Sequence, residues 1–238
     1  PSRAGRSLER RRDVPLPRVA EQSADYSVGA APEGQPFAFA SSPQWPSRGE
    51  LASLRCRMAA AIGLVDAGRH APGIRQLRST IGALARRHDW ARARDGALKL
   101  GEALLRRGQP RGAQAVLDEA REYGNRSGEQ ASLIDVTTMY GHAWIDLGRL
   151  EEAEISTSSA LGAARAANEH TRAASASCAL ARCLFWRGHY GDAEIALEQP
   201  RGLPLPPQLT LAITRLAARI AVGRGDLTAA MAHVTDAL

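Results

Sequence analysis

The residues that could do chemistry in this chain are few, and their spacing does not suit it. The histidines, His70, His88, His142, His170, His189 and His233, include no two that stand three or four apart. That is the spacing that sets a pair of imidazoles on one helix face around a metal ion. His189 lies six residues from Cys183 and makes no ligand pair with it. Lys99 is the single lysine and lies outside any Gly-x4-Gly-Lys-Ser/Thr loop, so no phosphate cradle is read. Glu151, Glu152 and Glu154 form an acidic run, but they open a predicted helix, where the helix dipole favours carboxylates without any catalytic role. Cys56, Cys178 and Cys183 are too few for a disulfide framework, and Cys178 and Cys183 fall about 140° apart around one predicted helix. A reduced, cytoplasmic setting is expected. No nucleophile, base and acid can be grouped, so no catalysis, metal or cofactor is expected.

With no chemistry to position, the elements are read for the surface they build. Apolar residues make up 44% of the 238 residues and aromatics only 5%, so the core is made of Ala and Leu. Alanine has the best helix propensity, and β-branched residues are sparse after residue 50, which argues against a sheet. The net charge of +6 is carried almost wholly by arginine and is read as a solvated surface. No run of apolar residues is long enough to span a membrane, and no apolar stretch follows the N-terminal arginines as a secretory signal requires.

Composition changes near residue 48. Residues 1–48 hold an Arg-rich stretch over 3–12 and then Pro15, Pro17, Pro32, Pro36, Pro43 and Pro46, with no apolar periodicity. Such a segment cannot offset the entropy of ordering itself, and it is read as a disordered or linker segment. Over residues 49–238 helical patterns of about 12–17 residues follow one another, parted by short polar breaks.

Those patterns repeat. Gly68, Gly108, Gly148 and Gly188 are 40 residues apart, and Gly225 follows after 37. Each falls in a break, where freedom to take positive φ ends a helix. Four residues before these glycines stand Leu64, Leu104, Trp144, Leu184 and Ala221; eight before them stand Ala60, Leu100, Tyr140, Leu180 and Ala217. The two positions share one face of a first helix. Between them, seven before the glycine, the residue is small: Ala61, Gly101, Gly141, Ala181 and Ala218. On a second helix, five after the glycine, stand Gly73, Ala113, Ala153, Ala193 and Ala230, and nine after it Leu77, Leu117, Thr157, Leu197 and Val234. Small residues on both helices allow a close crossing, and the apolar face of each hairpin is completed only by its neighbours.

The pattern resembles the tetratricopeptide repeat (TPR), most clearly over residues 100–120, 140–160 and 180–197. The family's usual period is about 34 residues, so a period of 40 implies longer helices or loops. The family's early Trp is replaced by Arg57, Ala97, Thr137, Ser177 and Thr214, and its closing Pro is out of register. The resemblance implies an all-α fold, a right-handed superhelical array of about five TPR-like hairpins that works by binding other proteins. Arrays with periods near 40 are also similar to those of large bacterial transcription regulators, maltose-activator-like or sigma-54-dependent. In those the array senses or relays while another domain binds DNA. Residues 183–188, Cys-Leu-Phe-Trp-Arg-Gly, carry that second likeness.

In this family the free face of each first helix lines a groove. It falls 13, 10, 6 and 3 residues before the repeat glycine. The second repeat places Asp95, Leu98, Glu102 and Leu105 there, and the third Asp135, Thr138, His142 and Ile145. The fourth gives Ser175, Cys178, Arg182 and Phe185, with Trp186 alongside, and the fifth Ala212, Arg215, Arg219 and Val222. The partner-binding candidates are Glu102, His142, Arg182, Phe185, Trp186, Arg215 and Arg219. A ligand is expected on the fourth and fifth repeats, where arginine forks suit carboxylates and the aromatics offer anchor area. The competing reading is that these residues are solvated or cover neighbouring repeats. The expected partner is a protein or short acidic peptide, with a small ligand as the other reading. Nucleic acid is not expected through this segment, because a one-base-per-repeat code needs the same polar pair to recur. Leu227, Ala230, Met231, Val234 and Leu238 leave the last hairpin an apolar face, so the array is expected to continue past Leu238, and without that continuation to fray or self-associate there. The overall reading is a non-catalytic interaction or sensing module of a bacterial transcriptional regulator or signal-transduction protein. A stand-alone adaptor is the alternative, and an RNA-binding helical repeat the third.

Overall fold

The computed structural model describes residues 48–198, 200 and 204–236, with the backbone alone for Gln130 and Asp236. The expectations for residues 1–47, and those resting on Ala237 and Leu238, lie outside the described residues. Among these, ten helices and no strand form five consecutive hairpins. They are α1 (Arg48–Asp66) with α2 (His70–Arg86), α3 (Trp90–Arg106) with α4 (Pro110–Ser127), and α5 (Gln130–Asp146) with α6 (Leu150–Ala166). The last two hairpins are α7 (His170–Trp186) with α8 (Tyr190–Glu198), and α9 (Pro207–Gly223) with α10 (Leu227–Asp236). Each helix packs on the next, and each odd-numbered helix from α1 to α7 also touches the following odd-numbered one. The all-helical repeat array expected from the glycine spacing is therefore present.

The 40-residue period is two nearly equal halves. Helices α2 to α8 begin at residues 70, 90, 110, 130, 150, 170 and 190, one every 20. Seven of the turns share one hydrogen-bonding scheme. Arg69 donates its N–H to the Leu64 carbonyl, Asp89 to Leu84, Gln109 to Leu104, and Arg149 to Trp144. Glu169 to Ala164, His189 to Leu184 and Asp226 to Ala221 repeat it, all at 2.8–3.1 Å. This six-to-one closure satisfies carbonyls that a helix end would leave orphaned, and it needs the residue before the donor in the left-handed region. The five repeat glycines take that place at φ 66–80°. His88 (59°) and Asn168 (56°) take it in the other two turns. Gly128 closes the α4–α5 turn with a single bond to Gly124 at 3.2 Å.

The shorter step to Gly225 has a local cause. Helix α8 ends after nine residues, below the 12–17 expected. Pro204, Pro206 and Pro207 follow, and α9 begins at Pro207, three residues ahead of the 20-residue rhythm. Proline suits a first turn because its missing N–H would have had no partner there.

Within hairpins the two helices approach closely. The residues five after the glycine, Ala113, Ala153 and Ala193, are fully buried, as are Leu77, Leu117 and Thr157 nine after it. In three of the five repeats, the position where the family would carry its Trp is instead a hydrogen-bonded crossing. Gln76 Nε2 donates to the Arg57 carbonyl at 3.2 Å, and Ser156 Oγ to the Thr137 carbonyl at 2.8 Å. Ser177 Oγ donates the other way, to the Ala196 carbonyl. A bulky indole at that point would hold the helices apart.

Candidate functional site

Because odd-numbered helices lie side by side, equivalent positions in successive repeats stack. Over the first part of the array they bound an open groove of about 730 Å3. Asp95, Leu98 and Glu102 of α3, Asp135 and Thr138 of α5 and Ser175 of α7 line it. Those are positions 13, 10 and 6 before the glycine, as the repeat register requires. The sequence reading missed Met58 and Ile62 of α1 and Met139 of α5, which add an apolar floor. Met58 and Ile62 fall on the same register counted from Gly68, so the signal was there; Met139 does not.

The groove's carboxylates are each held by a cation. Arg94 is buried (7% exposed), and its guanidinium lies 2.7 Å from Asp95 and 2.6 Å from Glu129. Arg172 Nε donates to both carboxylate oxygens of Asp135 at 3.0–3.1 Å. Burial nonetheless raises the Asp135 carboxyl above its usual pKa, against the pull of Arg172. Glu102 pairs with Lys99 at 3.2 Å and with Arg106.

Glu102, His142 and Arg182 occupy one repeat position in three successive repeats, and the last two meet. Arg182 Nη1 lies 3.2 Å from His142 Nδ1, and Arg182 Nη2 donates to Asp146. A guanidinium only donates, so Nδ1 accepts and His142 is neutral with its proton on Nε2. Burial, and then the charge of Arg182, pull the half-buried imidazole down to about 4. Arg182 was expected to project beside Arg215 and Arg219; it is braced on α5 instead.

Phe185, Arg215 and Arg219 do come together, in a second concavity of about 720 Å3 that Val222 and α10 complete. The Arg219 guanidinium carbon stands 5.1 Å from the Phe185 ring centre and 5.6 Å from that of Trp186. The two rings meet edge to face at 5.5 Å, and Phe185 also packs on Tyr190 at 5.6 Å. Arg215 has no ion-pair partner among the described residues. Burial pushes the Cys178 and Cys183 thiols up to about 11, which keeps them as thiols and poor nucleophiles. Among the described residues no group of His, Cys, Asp and Glu could hold a metal ion, and no helix is long and apolar enough to cross a membrane.

Tandem hairpins closed by one turn scheme, with a groove along the odd-numbered helices, define a TPR-like repeat array. Solved structures share this fold. A kinesin-light-chain-like array of nearly identical TPR-like repeats from Podosopora anserina superposes with a TM-score of 0.59 at 18% identity, over 78% of this chain and 93% of that one. BtubC (BKLC) from P. vanneervenii gives 0.50 at 16% identity, over 78% and 89%. No protein-family model matches the chain, and no curated protein does. Likeness at these identities establishes the fold.

Proposed function

We propose that this array is a non-catalytic protein-interaction or signal-sensing module of a bacterial transcriptional regulator or signal-transduction protein. It holds an extended partner segment along its odd-numbered helices. The observation that carries this reading is the groove of about 730 Å3, whose apolar floor of Met58, Ile62, Leu98 and Met139 lies between charged side chains. Apolar floor gives a side chain of the partner somewhere to bury, and the charges fix its direction. Glu102 and His142 then contact the partner near the middle of the array, and Phe185, Trp186, Arg215 and Arg219 at its far end. Arg215 is the cation best placed for a partner carboxylate, while Arg182 acts by bracing α7 on α5.

The test is to select peptides from a random display library against the whole chain and measure their binding by calorimetry. Leu98→Glu is expected to weaken them at least tenfold, about 1.4 kcal/mol, with the chain still folded by circular dichroism. Arg215→Ala should weaken acidic peptides and flatten their salt dependence. Peptides that bind Leu98→Glu as tightly as the parent would place the surface elsewhere. The regulator context is tested by the coding sequence on either side: an ATPase or helix-turn-helix domain in frame supports it, and its absence favours an adaptor.

A further inference from the structure

Helix α5 packs on both α4 and α6, and the three helices leave a pocket of about 380 Å3 in the middle of the array. It lies on the side of α5 away from the groove. Asp135 and Thr138 line the groove, whereas Thr137 and Tyr140, each two residues further on, fall on the opposite helix face and line the pocket. Asp118 and Arg121 of α4, Trp144 of α5 and Arg149 of α6 also line it. Three of these residues break the repeat. At the Arg121 position the neighbouring repeats carry Ile81 and Leu161, both buried. At the Tyr140 position they carry Leu100 and Leu180, and at the Trp144 position Leu104 and Leu184. The seams before and after are thus closed with aliphatic side chains where this one has a guanidinium and two aromatic rings. A local departure from the packing rule that the rest of a chain obeys is characteristic of a functional site.

The rings of Tyr140 and Trp144 stack at 5.4 Å, and the Arg121 guanidinium carbon lies 5.6 Å from the Tyr140 ring centre. The Tyr140 hydroxyl and Arg121 Nη2 both donate to Asp118 Oδ1, so the carboxylate at the rim is already engaged. Arg149 donates to Glu152 through Nε and Nη2. Among the described residues nothing accepts from Nη1 of either arginine, from the Gln114 side-chain amide or from the Trp144 indole N–H. What the pocket has to spare is therefore donors and positive charge beside an aromatic wall. We propose that it binds a small planar carboxylate, an aromatic or heteroaromatic acid. The arginine forks and Gln114 take the carboxylate, and the ring lies along the Tyr140–Trp144 wall. The volume is at the small end of ligand pockets and suits one or two fused rings. This site is separate from the groove, so a small ligand and a protein segment would occupy opposite faces of α5.

The test titrates the 238-residue chain with benzoate, 2-naphthoate and indole-3-carboxylate by calorimetry. At least one acid is expected to bind with one ligand per chain and to raise the melting temperature as its concentration rises. The matching carboxamide, of the same shape without the charge, should bind at least tenfold more weakly. Arg121→Leu and Trp144→Leu give this seam the residue types of its neighbours, so both should stay folded by circular dichroism while each weakens the acid at least tenfold. Three results overturn the proposal: no binding by any of the acids at millimolar concentration, a carboxamide that binds as well as its acid, or binding that survives either substitution.

Discussion

Gly141→Leu is expected to lower the unfolding free energy by about 3 kcal/mol, and with it the melting temperature by about 6–12 °C for a folded region of this size. A Cβ at Gly141 would stand 2.3 Å from Thr157 Cγ2. Thr157 cannot turn away without loss, because it is fully buried and its hydroxyl donates to the Ala153 carbonyl at 2.8 Å. The two helices of the third hairpin must therefore move apart. Ala153→Leu, at the fully buried position facing this crossing, should act in the same direction. Gly101 holds the same repeat position with a different outcome. A Cβ there would meet Leu117 Cδ2 at 3.3 Å, the far end of a rotatable side chain. Alanine is favoured over glycine inside a helix by about 1 kcal/mol, so Gly101→Ala should leave the melt unchanged or raise it. Thermal melts of the three variants check this. Unchanged melting of both Gly141→Leu and Ala153→Leu would show that the third crossing has slack.

How much of this was legible in the sequence depended on which residue filled the left-handed place in each turn. Where it is glycine, the register stands out, because glycine reaches positive φ without hindrance. Where it is His88 or Asn168, the same turn is made by residues that a search for glycine passes over, so a 20-residue rhythm reads as a 40-residue one. The exception near the C-terminus was visible as proline, but its effect was not. Three prolines show that a helix cannot run through residues 204–207, but they do not say where α8 (Tyr190–Glu198) ends.

The candidate site divides along similar lines. Helical periodicity places Asp95, Leu98, Glu102, Asp135, Thr138 and Ser175 on one stripe, and they line one groove. Periodicity does not say what a long side chain does with its end. Arg182 reaches a histidine 40 residues away and an aspartate 36 away. Arg219 lies over Phe185 and Trp186. Both choices are made between neighbouring odd-numbered helices, and which cation finds a partner is decided by distances that no repeat register contains. Of the seven partner-binding candidates, His142 and Arg182 form a brace, Phe185, Trp186 and Arg219 form a cation–aromatic cluster, Glu102 pairs with Lys99 and Arg106, and Arg215 has no ion-pair partner among the described residues.

Acidification should act on that brace. An unfolded chain protonates His142 near its ordinary value of 6.5, whereas in the fold burial and Arg182 hold it at about 4. Between those two values the unfolded state binds more protons than the folded one, so stability falls as pH drops. The contribution is fully present above 6.5 and lost once pH passes below about 4, amounting to as much as about 3 kcal/mol. Asp135 has the opposite sign: its pKa is raised in the fold, so its contribution is present below the ordinary 3.8 and lost as pH rises through the folded value. In the variant His142→Gln the side-chain carbonyl can still accept from Arg182, but nothing titrates. Denaturant melts of the parent and His142→Gln at pH 7 and near pH 4.5 are expected to diverge, the parent losing more stability on acidification. Comparing the two proteins cancels every other titrating group, so parallel losses would mean that His142 takes up its proton in the fold as readily as out of it, and that the contact with Arg182 does not hold it neutral.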